Sequence, residues 1–203
     1  VQVNLADRKK ISCRLLVMAD DSSLEIRRGL NLDFRLTPYN QLGIVTNIKT
    51  EVGHKNVARQ WFSHEGVLAF LPKYQSNISS IVLSVPNSKG SECKVRTAKS
   101  LASLLNERSN LIQGEVEVLD PPKFFSLSRG VADTWFKSKC VLAGSAAHVI
   151  HPLAGQGLNL NLMDVASLIE CVGQPGFDRK WPVSEKLRYY NRWRKSESWA
   201  TMV

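Results

Sequence analysis

Gly144-Ser145-Ala146-Ala147-His148-Val149-Ile150-His151-Pro152-Leu153-Ala154-Gly155-Gln156-Gly157-Leu158-Asn159-Leu160-Asn161-Leu162-Met163-Asp164 is the stretch on which the reading of this chain turns. It follows Cys140-Val141-Leu142-Ala143, four small or apolar residues that read as a short buried strand ending at Gly144. Beyond it, residues 158–171 carry the spacing of a long helix. A strand therefore runs into a loop of small residues and then into a helix. Gly155 and Gly157 let the backbone pass close to something flat or bulky just before that helix begins. The free N–H groups at the helix start, at the positive end of its dipole, favour a negative charge, so an electron-rich ring or a phosphate fits there; the plainer reading of a bare Gly-x-Gly is an ordinary glycine turn before a helix.

Working outward toward the N-terminus, residues 1–5 and 11–18 read as two strands around the polar turn 6–10. An arginine-bearing stretch with Arg27 and Arg28 follows. Residues 42–48 read as a strand, 61–62 and 67–71 as a hairpin turning at His64-Glu65-Gly66, and 80–85 as a further strand. Ala98, Leu101, Leu104 and Leu105 fall at three- and four-residue steps, which predicts an amphipathic helix over 97–105. Residues 114–119 return to alternation before Pro121-Pro122 breaks the chain. At the other end, Gly173, Pro175, Gly176 and Pro182 mark a loop, and a last helix is expected over 184–199. The fold class expected is mixed, α+β with α/β units at both ends.

The chain has 203 residues, of which 43% are hydrophobic and 22% charged. That is globular usage and excludes a collagen-like, coiled-coil or disordered chain. No apolar run reaches the roughly 18 to 20 residues that span a bilayer as a helix. Residues 1–10 carry neither a signal-peptide core nor an initiator Met, as expected of a chain whose start is cut. Lys and Arg number 27 against 18 Asp and Glu, a net charge of +9. Such a surface suits an anionic partner: phosphate, nucleic acid or an acidic membrane. Cys13, Cys93, Cys140 and Cys171 form no Cys-x-x-Cys pair and sit mostly in apolar runs, which points to reduced thiols in a reducing compartment.

Weaker constellations are read against their plainer alternatives. His148 and His151 lie three apart, but in a loop before Pro152 and with no third ligand at a usual spacing, which argues against zinc. Gly144-Ser145-Ala146 is not a nucleophile elbow. Lys186, Arg188, Arg192, Arg194 and Lys195, with Tyr189, Tyr190, Trp193 and Trp199, make a basic helix that suits an acidic membrane or RNA, and more simply a solvated face over an apolar stripe.

The stretch 144–164 resembles the second flavin-contacting motif of the FAD-dependent aromatic hydroxylases, in the ubiquinone-biosynthesis branch. That pattern is Gly-Asp-Ala-Ala-His, then His-Pro, then Gly-Gln-Gly-x-Asn and a later Asp. Gly144, Ala146, Ala147, His148, His151, Pro152, Ala154, Gly155, Gln156, Gly157, Asn159 and Asp164 match it. Ala19-Asp20 and Arg27 resemble the family's middle motif. Tyr39 and Gln41 resemble its Tyr-x-Gln, and Gly66, Ala69, Leu71 and Pro72, with Phe62 and Phe70 beside them, its Gly-x-x-Ala-x-Leu-Pro hairpin. Leu187, Tyr190 and Arg194 resemble its C-terminal helix.

The resemblance implies a partial FAD-dependent monooxygenase fold. Residues 1–36 would be a remnant of the FAD-binding domain, 37–122 a substrate-side sheet, and 123–203 the flavin-contacting strand-loop-helix with the C-terminal helix. It implies FAD as cofactor. Ser145 would sit at the ribityl chain with Gly144 beside it, and Pro152 near the flavin face. Gly155, Gln156, Gly157, Leu158 and Asn159 would surround the isoalloxazine, Arg27 would lie toward the phosphates, and Phe70 and Leu71 toward a prenylated aromatic substrate. No catalytic residue and no metal ligand is assigned. The implied setting is the cytoplasmic face of a bacterial inner membrane or the mitochondrial matrix side, with peripheral membrane association, no nucleic acid, and a protein partner or homo-oligomer.

Three departures shape the expectation. The family's opening Gly-x-Gly-x-x-Gly around the ADP pyrophosphate is absent from these residues, whose Gly-x-Gly is Gly155-Gln156-Gly157. The family's Asp after the first glycine is Ser145, which accepts a hydrogen bond without a carboxylate's charge. Asp21 and Leu24 stand where the middle motif has Gly and Ser. These departures leave an alternative, a shortened and inactive relative serving as a structural subunit. They also predict that these residues alone do not hold FAD tightly. With no ADP-binding strand beside them, strands ending at Ala19 and Ala143 would expose an apolar patch over 15–18 and 141–143, or be covered by residues 1–5.

Overall fold

A computed structural model of the chain describes residues 1–20, 24–94, 97–151, 155–173 and 182–202. They form two units, Val1–Thr37 with Arg129–Val203, and Pro38–Ser128.

The first unit begins with the hairpin β1 (Gln2–Asn4) and β2 (Lys10–Ser12), paired antiparallel with Val3 opposite Ile11. The strand expected over 11–18 divides here. Cys13 exchanges backbone hydrogen bonds with Val1, whereas Leu16 donates to the Lys139 carbonyl at 2.9 Å, so β3 (Leu16–Met18) joins a different sheet. That sheet has the order β10 (Phe136–Lys137), β11 (Cys140–Leu142), β3, with β3 and β11 parallel and Val17 opposite Val141. The apolar patch expected at 141–143 does not form: β10 covers one edge of β11, and Val141, Leu142 and Ala143 are buried. Nor does 1–5 cover β3, since β1 pairs with β2. Val17 on β3 is 45% exposed.

Helices α4 (Gln156–Gly173) and α5 (Val183–Met202) close this unit. Leu168 and Cys171 of α4, with Leu187 and Tyr190 of α5, join Met18, Trp135, Val141, Leu142, Ala146 and Ala147 in one core. On α4 the side facing away from that core is also apolar. Leu158, Leu162, Val165 and Ile169, at steps of four, three and four, are all exposed, Leu158 by 67% and Ile169 by 62%. The short α1 (Leu24–Gly29) arises from the stretch read only as arginine-bearing. The loop expected at 173–182 lies, apart from its first and last residues, outside the described residues.

In the second unit β4 (Phe34–Thr50) is far longer than the strand expected at 42–48, because it begins with a mostly exposed half of mixed character. From Leu42 onward, alternation puts Leu42, Ile44, Thr46 and Ile48 inside. The sheet runs β9 (Lys123–Ala132), β4, β7 (Ile78–Pro86), β6 (Gly66–Pro72), β5 (Arg59–Ser63), with β8 (Val116–Val118) on the far half of β4. Ile44 faces Leu83, which in turn faces Leu68, so register stacks one apolar row across three antiparallel strands. Leu101 and Leu105 of α3 (Ala98–Ser109) complete that core. The helix starts where the sequence indicates: Thr97 Oγ1 accepts from the Ser100 N–H at 3.2 Å, and Asn110, left-handed at φ 51°, ends it. A second short helix, α2 (Asn87–Lys94), carries no apolar period and was not expected.

Candidate flavin-contacting turn

After β11, Ala143 is extended and Gly144 turns to φ +58°, which starts a short 3-10 turn over Gly144–Ala146. The left-handed conformation selects glycine here, and an added Cβ would also press on Asn161 Cγ at 3.3 Å. The Ala147 N–H closes the turn on the Gly144 carbonyl at 2.8 Å, and β12 (His148–Val149) follows, with the Ala147 carbonyl accepting from Ala132 N–H at 2.8 Å. The turn is thus tied to β9 on one side and to α4 on the other. Ser145, at its apex, is half-buried.

Asp164, one turn further along α4 than Asn161, reaches back to the same place. Its Oδ2 accepts from the Gly144 N–H at 2.8 Å and lies 2.7 Å from His148 Nε2. Its Oδ1 accepts from Arg194 Nε of α5 at 2.7 Å. The three side chains are essentially without exposed surface. With the Gly144 and Arg194 N–H groups both donating, the contact to His148 is completed by a hydrogen on Nε2. A carboxylate removed from water is held this way only if donors surround it. Arg194 also ion-pairs through Nη1 with Glu197. Trp135 packs beside His148, ring centroids 5.5 Å apart, and beside Tyr190 at 5.9 Å. Tyr190 donates to the Leu142 carbonyl at 3.1 Å. Burial, and then the Asp164 carboxylate, push its phenol pKa far up, so the donor is permanent.

His148 is therefore a hydrogen-bond donor in the core. Among the described residues no group of three or more His, Cys, Asp or Glu converges as a metal site. Burial pulls the His151 pKa down, favouring the neutral ring. The basic C-terminal helix is less uniform than its sequence reads: Arg194 and Tyr190 are fully buried, while Arg188 pairs with Glu185 at the surface. Leu187, Tyr190, Arg194 and Ser198 all face inward at steps of three, four and four, which is the signal that sequence reading missed.

The resemblance puts Arg27 toward phosphates. In the structure Arg27 is 4% exposed, its Nη1 donates to the Ala146 carbonyl at 2.9 Å, and its guanidinium lies 4.6 Å from the Phe34 ring centroid. Its observed contact is with the turn that carries Ser145. Across the stretch 152–154, which lies outside the described residues and includes Pro152, the chain reappears at Gly155 with φ +64°. A Cβ there would meet no atom within 4 Å. Gln156, Leu158 and Asn159 are exposed around that opening, Gly157 is half-buried, and the first turn of α4 contains no acidic residue. A glycine with room at its Cβ position, at the start of a helix whose first turn carries no acidic residue, suits a ring system with carbonyl acceptors, so the residues present fit a flavin. Asp21 is outside the described residues.

In the second unit Phe70 faces the core, edge-on to Trp61 at 5.0 Å, and is 1% exposed. It packs the sheet and offers no surface to a substrate, because strand alternation sends its neighbour Leu71 to the other face, where Leu71 is 39% exposed. A surface concavity of about 330 Å³ is lined by Asn47, Lys73, Tyr74, Ile78, Leu119 and Asp120. Three of its polar groups pair with one another: Asn47 donates through Nδ2 to Asp120 Oδ2 at 2.6 Å and accepts through Oδ1 from Lys73 Nζ at 3.3 Å.

Several solved structures that share this fold are described as flavin- or FAD-dependent. P. aeruginosa PqsL in complex with 2-aminobenzoylacetate superposes with a TM-score of 0.74 at 22% identity, over 99% of this chain and 56% of that one. CmlS, a flavin-dependent halogenase, gives 0.72 at 18% identity, over 96% and 36%. At these identities the likeness is one of fold. The sequence goes further: a family described as FAD binding domain matches residues 1–202, and the chain belongs to that family. Among characterised relatives, the ubiquinone hydroxylase UbiL of Rhodospirillum rubrum is 31% identical over 170 residues, covering 84% of this chain and 39% of that protein. The mitochondrial ubiquinone biosynthesis monooxygenase COQ6 of Drosophila melanogaster is 28% identical over 202 residues, covering 83% and 42%. The chain thus spans about two fifths of the length of these relatives.

Proposed function

We propose that the protein containing this chain is an FAD-dependent monooxygenase that hydroxylates the aromatic ring of a prenylated ubiquinone precursor. The observation that carries this reading is the turn over Gly144–Ala146, locked to α4 by Asp164, with Gly155 at the start of the same helix, in a chain similar to UbiL and COQ6. A bound, reduced flavin supplies the activation of dioxygen from which the ring receives its oxygen.

What the chain's own residues contribute is position. The Ser145 hydroxyl accepts from, or donates to, a ribityl hydroxyl. The N–H groups at the start of α4, around Gly155 to Asn159, donate to the carbonyl edge of the ring system, with Gly144 and Gly155 keeping the backbone clear of side chains. Pro152 is assigned to the flavin face by the motif it matches. Arg27 serves the site by holding Ala146. Among the described residues no helix is long and apolar enough to cross a membrane. A prenylated substrate partitions into lipid, so the reading includes peripheral attachment to a membrane, at the matrix side in mitochondria or the cytoplasmic face in bacteria, and a protein partner or second copy.

Purification of the protein containing these residues tests the reading. Yellow protein that releases FAD on denaturation, and that adds one oxygen atom to a prenylated phenol by mass spectrometry when given a reductant and air, is expected. Colourless protein that takes up no FAD refutes it.

A further inference from the structure

The Asp164 network is more than core packing, because one of its ligands is the backbone of the turn itself. Gly144 N–H and His148 Nε2 meet on the same oxygen, Oδ2, at 2.8 and 2.7 Å, and bracket Ser145 from both sides in sequence. Asn161, three residues before Asp164 on α4, fills the space that a Gly144 side chain would take. Arg194 Nε, from another helix, fixes the carboxylate by its other oxygen. The start of α4 and the 144–146 turn are therefore registered by side chains of a single helical face. The two halves of the candidate cofactor site have no separate freedom along that axis.

We propose that Asp164, with His148 as its orienting donor, is a positioning residue for the bound flavin. It sets the distance between Ser145 and the first N–H groups of α4, and touches neither cofactor nor substrate. The inference rests on the flavin reading above. A displacement of either half changes how many ribityl and ring contacts are made at once, so affinity and the environment of the ring respond together. His148→Leu removes the donor to Oδ2 and keeps the buried volume apolar. His148→Gln returns an N–H at a similar reach. Asp164→Asn retains an acceptor for Gly144 and turns a donor against one of its neighbours.

The test uses the whole protein that contains these residues, loaded with flavin, with FAD as the probe, and compares wild type with these three variants. Flavin dissociation constant, visible circular dichroism of the bound flavin and thermal unfolding of the apoprotein are read in parallel. His148→Leu and Asp164→Asn are expected to weaken FAD about tenfold or more and to alter the visible dichroism, and His148→Gln to recover most of both. Should Asp164→Asn fail to fold, the His148 pair decides the matter. Leucine and glutamine variants that both bind FAD with wild-type affinity and dichroism overturn the inference, as does equal loss in both. A wild-type protein that binds no FAD refutes the flavin reading itself, and the inference with it.

Discussion

Arg194 Nε and Asp164 Oδ1 lie 2.7 Å apart with neither side chain exposed, so an ion pair joins α5 to α4 inside the core of the first unit. Neither charge has water to fall back on. Arg194→Ala, which leaves the carboxylate with only the Gly144 and His148 donors, is expected to cost about 3–5 kcal/mol. Combining it with Asp164→Ala should cost much less than the sum of the two single changes. Urea unfolding of the four proteins in the cycle measures this; strictly additive losses count against a coupled pair.

Leu105 on α3 and Leu162 on α4 are the same side chain in opposite situations, the first fully buried and the second 58% exposed. Leu105→Ala is expected to lose roughly 2–5 kcal/mol through the cavity it leaves. Leu162→Ala in the 203-residue chain should stay within about 0.5 kcal/mol. Chemical denaturation of both variants is the check, and a large loss at Leu162 means that the exposed stripe of α4 is covered in solution.

Thr97 caps α3 through its hydroxyl. Thr97→Ala should destabilise the second unit by about 1 kcal/mol, and Thr97→Ser should restore most of it. Hydrogen exchange in the first turn of α3 reports the same change locally.

Glu65, in the β5–β6 turn, ion-pairs with Lys89 and accepts from Arg108 Nη2 at 2.9 Å, and the Lys89 hydrogen bond is the first cause that holds its carboxyl below the ordinary range. The folded state thus binds the proton less readily than the unfolded one. Its contribution is present above the ordinary carboxylate pKa and disappears as pH falls through the lowered folded value. Glu65→Gln should flatten part of the decline in melting temperature between roughly pH 5 and pH 3. An unchanged acid limb means that the pair is too well solvated to matter.

How far the sequence carries depends on whether the controlling contact is local. Helix α3 and the hairpin at His64-Glu65 were legible because their signals lie within a few residues of the structure they dictate. The buried strand at 140–142 was legible from its uninterrupted apolar run. β9 was not: Lys123–Ala132 mixes exposed, half-buried and buried positions without regular alternation along its length, since its pairing comes from strands distant in sequence. Around the turn, the glycines and the later aspartate were visible as a pattern, but the pattern says nothing of a partner. That Asp164 is met by Arg194, thirty residues away, depends on two helices lying side by side. A charged residue on an amphipathic helix reads as solvated until its inward-facing position among Leu187, Tyr190 and Ser198 is noticed.

The first unit is discontinuous in the chain, and that fixes an order of events during synthesis. Pro38–Ser128 is complete in sequence while β11, α4 and α5 are still unmade. The parallel contact of Val17 with Val141 bridges 124 positions, 141 − 17, and has to wait for the later strand. Closing so long a flexible loop costs only logarithmically more than closing a short one, and a segment that has already folded replaces most of that flexible length. The second unit, with its own core from Leu42 to Val116, can therefore assemble first and act as a ready-made spacer. Until Cys140–Leu142 is made, β3 lacks that parallel neighbour, and a strand waiting for its partner is a species on which a chaperone would act.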